Sequence, residues 1–162
     1  MNSKKTISVK EALIKAQSLC AEREKCKSDI RNKLYDWKLP EKDHYNIIES
    51  LVNDKFIDEQ RFAISFVKDK FRYNKWGKIK IEYALQQKSI SGDIIKKALQ
   101  EISEKDYDEL LENELKKKFK SLKDKDEYTI KSKLVRFASS RGFENGKVFD
   151  MVSAIIEMQK NK

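Results

Sequence analysis

The strongest constraint on this chain is an apolar register that recurs twice along it. Ile30, Leu34, Leu39, Ile48 and Leu51 have counterparts 51 positions further on, at Ile81, Leu85, Ile90, Leu99 and Ile102. A further step of 53 positions reaches Leu134, Ala138, Phe143, Val152 and Ile155, and every one of these positions is apolar. Tandem copies that keep the same apolar positions bury the same face in each copy, as short helical repeats do. Within a copy the apolar residues fall three and four apart, the spacing of one helix face. One Pro and four Gly leave few turn residues for a β fold. With 39% of residues hydrophobic and 39% charged, thin helical layers are expected rather than one thick core. The expectation is an all-α fold of three tandem three-helix repeats forming an elongated, curved nine-helix array.

Local signals divide the chain. Residues 1–7 are polar and read as a disordered N-terminal segment; repeat 1 covers 8–55, repeat 2 covers 56–104, and repeat 3 covers 105–162 with a charged loop at about 121–128. Ser8 with Glu11, and Ser103 with Asp106, match the capping box, in which each side chain satisfies a backbone N–H at a helix start. Asp58 and Ser91 suit the N-cap position, and Pro40 suits a first helical turn, where no N–H is needed. Lys75-Trp76-Gly77 breaks the helical pattern of the middle repeat.

The formal net charge is +9, which favours polyanionic partners, nucleic acid above all, although it also suits a solvated surface. Two stretches concentrate it. One holds Lys68, Lys70, Arg72, Lys75, Lys78, Lys80 and Lys88; the other runs from Lys116 to Arg136 and includes Lys131 and Lys133. Interleaved Phe71, Tyr73, Trp76 and Tyr83 would stack on bases where exposed, or pack between helices where not. Three-helix units invite comparison with helix-turn-helix readers, but the third helices here offer few polar side chains. Lys96, Lys97 and Gln100 serve one and almost nothing serves 148–156, so sequence-specific base reading is disfavoured.

A catalytic cast is missing. No phosphate-binding glycine loop, dinucleotide fingerprint, zinc-finger spacing or nucleophile elbow occurs. Asp106, Asp108, Glu109, Glu112 and Glu114 read as a solvated helix start that complements the dipole. The lone His44 has Ile95 and Val148 as its repeat counterparts and so belongs on or beside a core face; Cys20 and Cys26 lack metal-ligand spacing. No enzyme activity, metal or cofactor is expected. With a polar start, two cysteines and no membrane-length apolar run, a cytoplasmic protein without a membrane partner is expected.

At the centre of the chain, Phe56-Ile57-Asp58-Glu59 with Arg61-Phe62-Ala63 resembles the signature of the recombination regulator RecX family. Trp76-Gly77, Ile81-Glu82-Tyr83-Ala84-Leu85, Lys88-Ser89-Ile90, and Ile94-Ile95 with Ala98-Leu99 follow in the family's order. Arg23-Glu24-Lys25-Cys26 upstream, and Arg136-Phe137 with Arg141-Gly142-Phe143 downstream, extend the resemblance over roughly 9–156. Lys38 and Ser89 stand where the family usually has Gly, only Gly142 keeping it, and Cys26 replaces a commoner Ser. A glycine there would suit a left-handed residue ending a helix, so a small strain is expected at Lys38 and Ser89.

The resemblance implies a non-enzymatic, nine-helix regulator that binds RecA protein and the RecA–DNA filament. It would limit filament extension on single-stranded DNA, and hence strand exchange, ATPase and coprotease action, as a monomer with sequence-nonspecific DNA contact. The alternative is a helical-repeat module that binds single- or double-stranded DNA directly, without RecA. The candidate contact surface is Lys68, Arg72, Lys75, Lys78, Lys80, Lys88, Lys131, Lys133, Arg136 and Arg141. Phe56, Asp58, Phe62, Ala63, Gly77 and Gly142 read as mainly architectural, Asp58 as a cap and Phe62 as core; Arg61 is left open between the two roles.

Overall fold

Side-chain caps set where the helices begin. Ser8 and Ser103 each accept the backbone N–H three residues on, at 3.1 Å, and so open α1 (Val9–Glu22) and α7 (Glu104–Ser121). Asp58 does the same for Arg61 at 3.1 Å before α4 (Glu59–Arg72), and Asp126 for Thr129 at 3.0 Å before α8 (Glu127–Ser140). The remaining helices are α2 (Lys27–Asp36), α3 (His44–Asn53), α5 (Lys78–Gln87), α6 (Gly92–Leu99) and α9 (Asn145–Lys160). The computed structural model describes residues 6–162. Among the described residues there are nine α-helices and no strand.

Three local expectations change. The reciprocal carboxylate-to-backbone bond of the capping box is made by neither Glu11 nor Asp106 among the described residues; it occurs instead at α2, where Cys26 N–H donates to Asp29 Oδ2 at 3.3 Å. Pro40 does not enter α3. It precedes a 3-10 turn at Glu41–Asp43, whose Asp43 N–H donates to the Pro40 carbonyl at 3.0 Å. The charged loop is shorter than expected, because α7 runs through Ser121 and the Asp126 cap starts α8 at Glu127. Residues 1–5 of the expected disordered segment lie outside the described residues, while Ile7 packs on the first core.

Helix ends repeat as closely as the apolar register does. Lys38, Ser89 and Gly142 are equivalent by that register, and all three take the left-handed conformation, with φ of 59°, 60° and 90°. After each, the next residue's N–H reaches back five residues: Leu39 to Leu34, Ile90 to Leu85, and Phe143 to Ala138, at 3.0, 3.2 and 3.2 Å. That is the six-to-one bond of a Schellman motif, and it drives the following apolar side chain inward. Leu39, Ile90 and Phe143 are all buried. Of the three residues in this conformation only Gly142 is a glycine, which adopts it without strain. Every register position named in the opening is buried, save Leu99, which is half-buried.

The chain forms two compact units. One runs to Ser65 and takes in Leu85–Ala98; the other holds Phe66–Ala84 and Leu99–Lys162. In the first, α1, α2 and α3 pack pairwise around Ala12, Ala16, Ile30, Leu34, Ile48 and Leu51. In the second, α7, α8 and α9 pack pairwise, and Tyr107, Leu111, Leu134, Phe143 and Val152 are buried. His44 is 3% exposed, as its apolar counterparts imply; its Nε2 lies 2.9 Å from the Leu39 carbonyl and Tyr35 meets its ring edge-on.

Candidate functional site

The middle-repeat break is built by a left-handed lysine and a glycine. Lys75 has φ 60°, which lets Trp76 N–H reach back to the Lys70 carbonyl at 3.1 Å and ends α4. The indole of Trp76 then carries two ammonium groups near its ring, Lys70 at 4.9 Å and Lys80 at 4.7 Å, a cation–π arrangement. Lys75 Nζ donates to the Arg72 carbonyl at 2.6 Å. Trp76 and Phe71 are half-buried, while Tyr73 and Tyr83 are 73% and 62% exposed, so the four aromatics of this stretch divide into packing and surface.

Gly77 makes a joint with the end of α8. Its N–H donates to the Arg141 carbonyl at 2.7 Å, and Ile79 N–H donates to the Gly142 carbonyl at 3.0 Å. A Cβ on Gly77 would fall 2.4 Å from Gly142 backbone atoms, and one on Gly142 would fall 2.3 Å from Lys80 Cβ. The two backbones meet only because both residues are glycine. Around them Lys78 N–H donates to the Tyr107 hydroxyl at 3.0 Å, and that hydroxyl donates to Glu144 Oε1 at 2.7 Å. Burial, reinforced by the Glu144 carboxylate, holds the Tyr107 phenol protonated far above its ordinary range. Lys78 Nζ meets Glu104 at 3.1 Å; Arg141 lies over Phe137 at 4.9 Å and 3.9 Å from Glu114. Glu114, expected on a solvated helix start, is only 12% exposed, because Arg141 and Lys117 draw it in.

A second joint lies in the other unit. Lys88 Nζ donates to Asp29 Oδ1 at 2.7 Å, and the Ser28 hydroxyl donates to the Lys88 carbonyl at 3.0 Å. Burial pushes the Asp29 carboxyl up, but hydrogen bonds from Lys88 and from Cys26 N–H outweigh it and leave it below the ordinary carboxylate value. Glu59, facing Lys27 at 4.0 Å, is pushed above its ordinary value by burial. Arg61, open in the sequence, is placed: Nε on Glu24, Nη2 on the carbonyls of Lys55 and Phe56 at 3.1 and 3.4 Å. Lys55 is another left-handed helix end, φ 61°, so Arg61 fastens the turn between α3 and α4. Phe62 and Ala63 are buried, Phe56 is half-buried, and the Lys88 ammonium stands 5.8 Å from the Phe62 ring centre.

The ten candidate contact residues are distributed unevenly. Lys78, Lys80 and Arg141 sit at the glycine joint, Lys88 at the other, and Lys133 on Asp124 at 2.8 Å. Lys68, Arg72 and Lys75 line one groove of about 340 Å³ with Phe71, but Glu101, Asp106 and Glu109 line it too. Lys131 and Arg136 line a groove of about 390 Å³ with Tyr128, Ser132, Val135 and Phe149. Two aromatics outside the expected contact surface line this groove as well: Tyr128, at the end of the expected charged loop, and Phe149, which are 77% and 51% exposed. Spacing alone gives no sign of the exposure of Phe149, which stands three residues before the buried Val152 and seven before the buried Ile156. Among the described residues no three His, Cys, Asp or Glu converge on a possible metal position, and no helix is long and apolar enough to cross a membrane.

Comparison with known proteins agrees with this geometry. Residues 58–99 match the model of the second three-helix domain of RecX, and residues 105–151 match that of the third. A regulatory protein RecX of Clostridium botulinum (strain Eklund 17B / Type B) is 32% identical over 161 residues, covering 96% of this chain and 75% of the relative. One from Chlorobium phaeobacteroides (strain BS1) is 34% identical over 148 residues, covering 90% and 94%. Against the Clostridium acetobutylicum protein, 32% identical, the aligned part is 81% of this chain and 62% of the relative, under two thirds of its length. Two crystal structures share the fold. A regulatory protein RecX has a TM-score of 0.82 at 23% identity, covering 90% of this chain and 73% of that one. RecX from Lactobacillus salivarius has 0.78 at 18%, covering 95% and 97%. With two consecutive domains matched in order and relatives of 32% and 34% identity aligned over most of their length, the chain belongs to the RecX family of regulatory proteins.

Proposed function

We propose that this protein is a non-enzymatic regulator that binds the RecA recombinase and its filament on single-stranded DNA. It limits filament extension, and so reduces strand exchange, ATPase and coprotease activity. Family membership carries the reading: two consecutive RecX domain models match this chain, and the named relatives are regulatory proteins. The physical setting supports it. Tandem repeats offer long contact surfaces, and a net charge of +9 suits a nucleoprotein partner. The repeat boundaries 8–55, 56–104 and 105–162 are proposed as the functional modules of that surface, acting in a monomer in the cytoplasm.

The test is RecA's DNA-dependent ATPase and strand exchange with this protein present below the RecA concentration. Both fall if the reading is right; no effect on either removes it. A second reading, direct DNA binding without RecA, is favoured by Lys131 and Arg136 of the 390 Å³ groove, which have no carboxylate partner among the described residues. A steep salt dependence of affinity for DNA alone supports that reading.

A further inference from the structure

We propose that the groove between α8 and α9 is a direct site for single-stranded nucleic acid, with Tyr128 and Phe149 as stacking faces and Lys131 and Arg136 as phosphate contacts. The inference deepens the reading of this protein as one that acts at a DNA filament, and rests on it. Tyr128, Lys131, Ser132 and Val135 recur at helical spacing, so α8 turns one continuous face to the groove. Phe149 supplies the other lip from α9, which packs on α8.

Neither aromatic is among the buried residues of its helix, which are Leu134 and Ala138 in α8 and Val148, Val152, Ile155 and Ile156 in α9. Two large aromatics left 77% and 51% exposed across one groove form a patch that a partner would cover. Charge selects the partner. The other charged side chains near the start of α8 are already met, Glu127 by Lys160 at 3.2 Å and Lys133 by Asp124 at 2.8 Å. Lys131 and Arg136 have no ion pair among the described residues, and no acidic side chain lines the groove. The groove of Lys68, Arg72 and Lys75 differs, because its three carboxylates balance its cations.

Aromatic faces beside unneutralised cations suit unpaired bases and their phosphates, and are tolerant of sequence because every base has a π-face. Duplex DNA keeps its bases stacked internally and would use only the cations. An acidic peptide would likewise leave the aromatic faces without a matched partner.

The experiment is fluorescence anisotropy of a labelled oligothymidylate with the full chain, without RecA, over a range of salt. Wild type is expected to bind the single strand tighter than a duplex of equal length. The Tyr128→Ala, Phe149→Ala double variant is expected to lose tenfold or more for the single strand and little for the duplex. Tyr128→Phe keeps the π-face and should keep the affinity. Lys131→Gln with Arg136→Gln should flatten the salt slope by about 1.4, for two phosphates at about 0.7 each. Unchanged circular dichroism melting confirms that each variant is folded. Wild-type affinity in the double alanine variant would overturn the site, with direct DNA binding surviving elsewhere. No single-strand binding by wild type, with RecA's ATPase still suppressed, would overturn the site and leave the regulator reading standing. Displacement of the oligonucleotide by polyglutamate, with no dependence on Tyr128 or Phe149, would reassign the groove to an acidic peptide.

Discussion

The two joints of this molecule occupy equivalent register positions and are held by different physics. At one, Gly77 and Gly142 bring two backbones together, and Gly77 N–H bonds directly to the Arg141 carbonyl. At the other, the counterparts are Cys26 and Ser89; the buried Cys26 side chain occupies space that Gly77 leaves open, and the Ser28 hydroxyl reaches the Lys88 carbonyl instead. Charge differs as well. Asp29 and Lys88 pair at 2.7 Å, whereas their counterparts Lys80 and Arg141 are both cations and turn to Trp76, Phe137 and Glu114. A repeat conserves the place of a joint more strictly than the interactions that close it. One joint depends on shape, the other on side-chain polarity.

Substitutions separate the two. Gly142→Ala should have the largest effect, about 3 kcal/mol or more of lost stability, because it combines a left-handed backbone with a Cβ 2.3 Å from Lys80 Cβ. Ser89→Ala, at the equivalent place, should change stability by about 0.5 kcal/mol or less, since a Cβ is already accommodated there. Urea unfolding of both variants makes the comparison; equal losses would erase the distinction between the joints. Tyr107→Phe removes the hydroxyl that links Lys78 N–H to Glu144, and should cost about 1–3 kcal/mol in the same assay. A smaller loss would mean the glycine contact closes that joint unaided.

At the polar joint, Asp29→Asn should cost about 1–2 kcal/mol at neutral pH, between the values for exposed and buried pairs. The pH dependence gives a finer reading. Asp29 sits below its ordinary value in the fold, so its stabilisation is present above about pH 4 and is lost as pH falls through its folded value. Glu59 is raised, so its contribution is full below about pH 4 and is lost as pH rises through its folded value. The two slopes oppose. Asp29→Asn should flatten the gain in stability between acid and neutral pH, and Glu59→Gln should steepen it. Urea midpoints measured across that range check the signs, and parallel curves for the two variants would contradict them. The smallest expected effect is a gain: Ser89→Gly should raise stability by about 0.5–1 kcal/mol by relieving the left-handed strain at φ 60°, seen as a higher melting temperature.

Much of the fold was legible because apolar spacing reports burial directly. Ile30, Ile81 and Leu134 were aligned by sequence alone and all are fully buried. The left-handed ends at Lys38 and Ser89 were legible only through the family's glycine preference, since lysine and serine give no such signal. The site was less legible. Which cations are engaged depends on distant partners: Lys88 with Asp29, Lys78 with Glu104 and Arg141 with Glu114 are separated by long stretches of chain. The aromatic lips carry no such signal: Tyr128 lies where a charged loop is expected, and Phe149 shares helical spacing with the buried Val152 and Ile156 although it is exposed. Spacing tells which face is buried, while charge density does not tell which charges remain for a partner.

As the proposed regulator, this repeat protein would restrain growth of a RecA filament. The most direct test is the rate of filament extension on single-stranded DNA, followed with labelled RecA, with and without this protein at substoichiometric amounts. The account predicts slower extension that responds to this protein well below one copy per RecA. Unchanged extension and disassembly rates, with the protein folded and in excess, would contradict it.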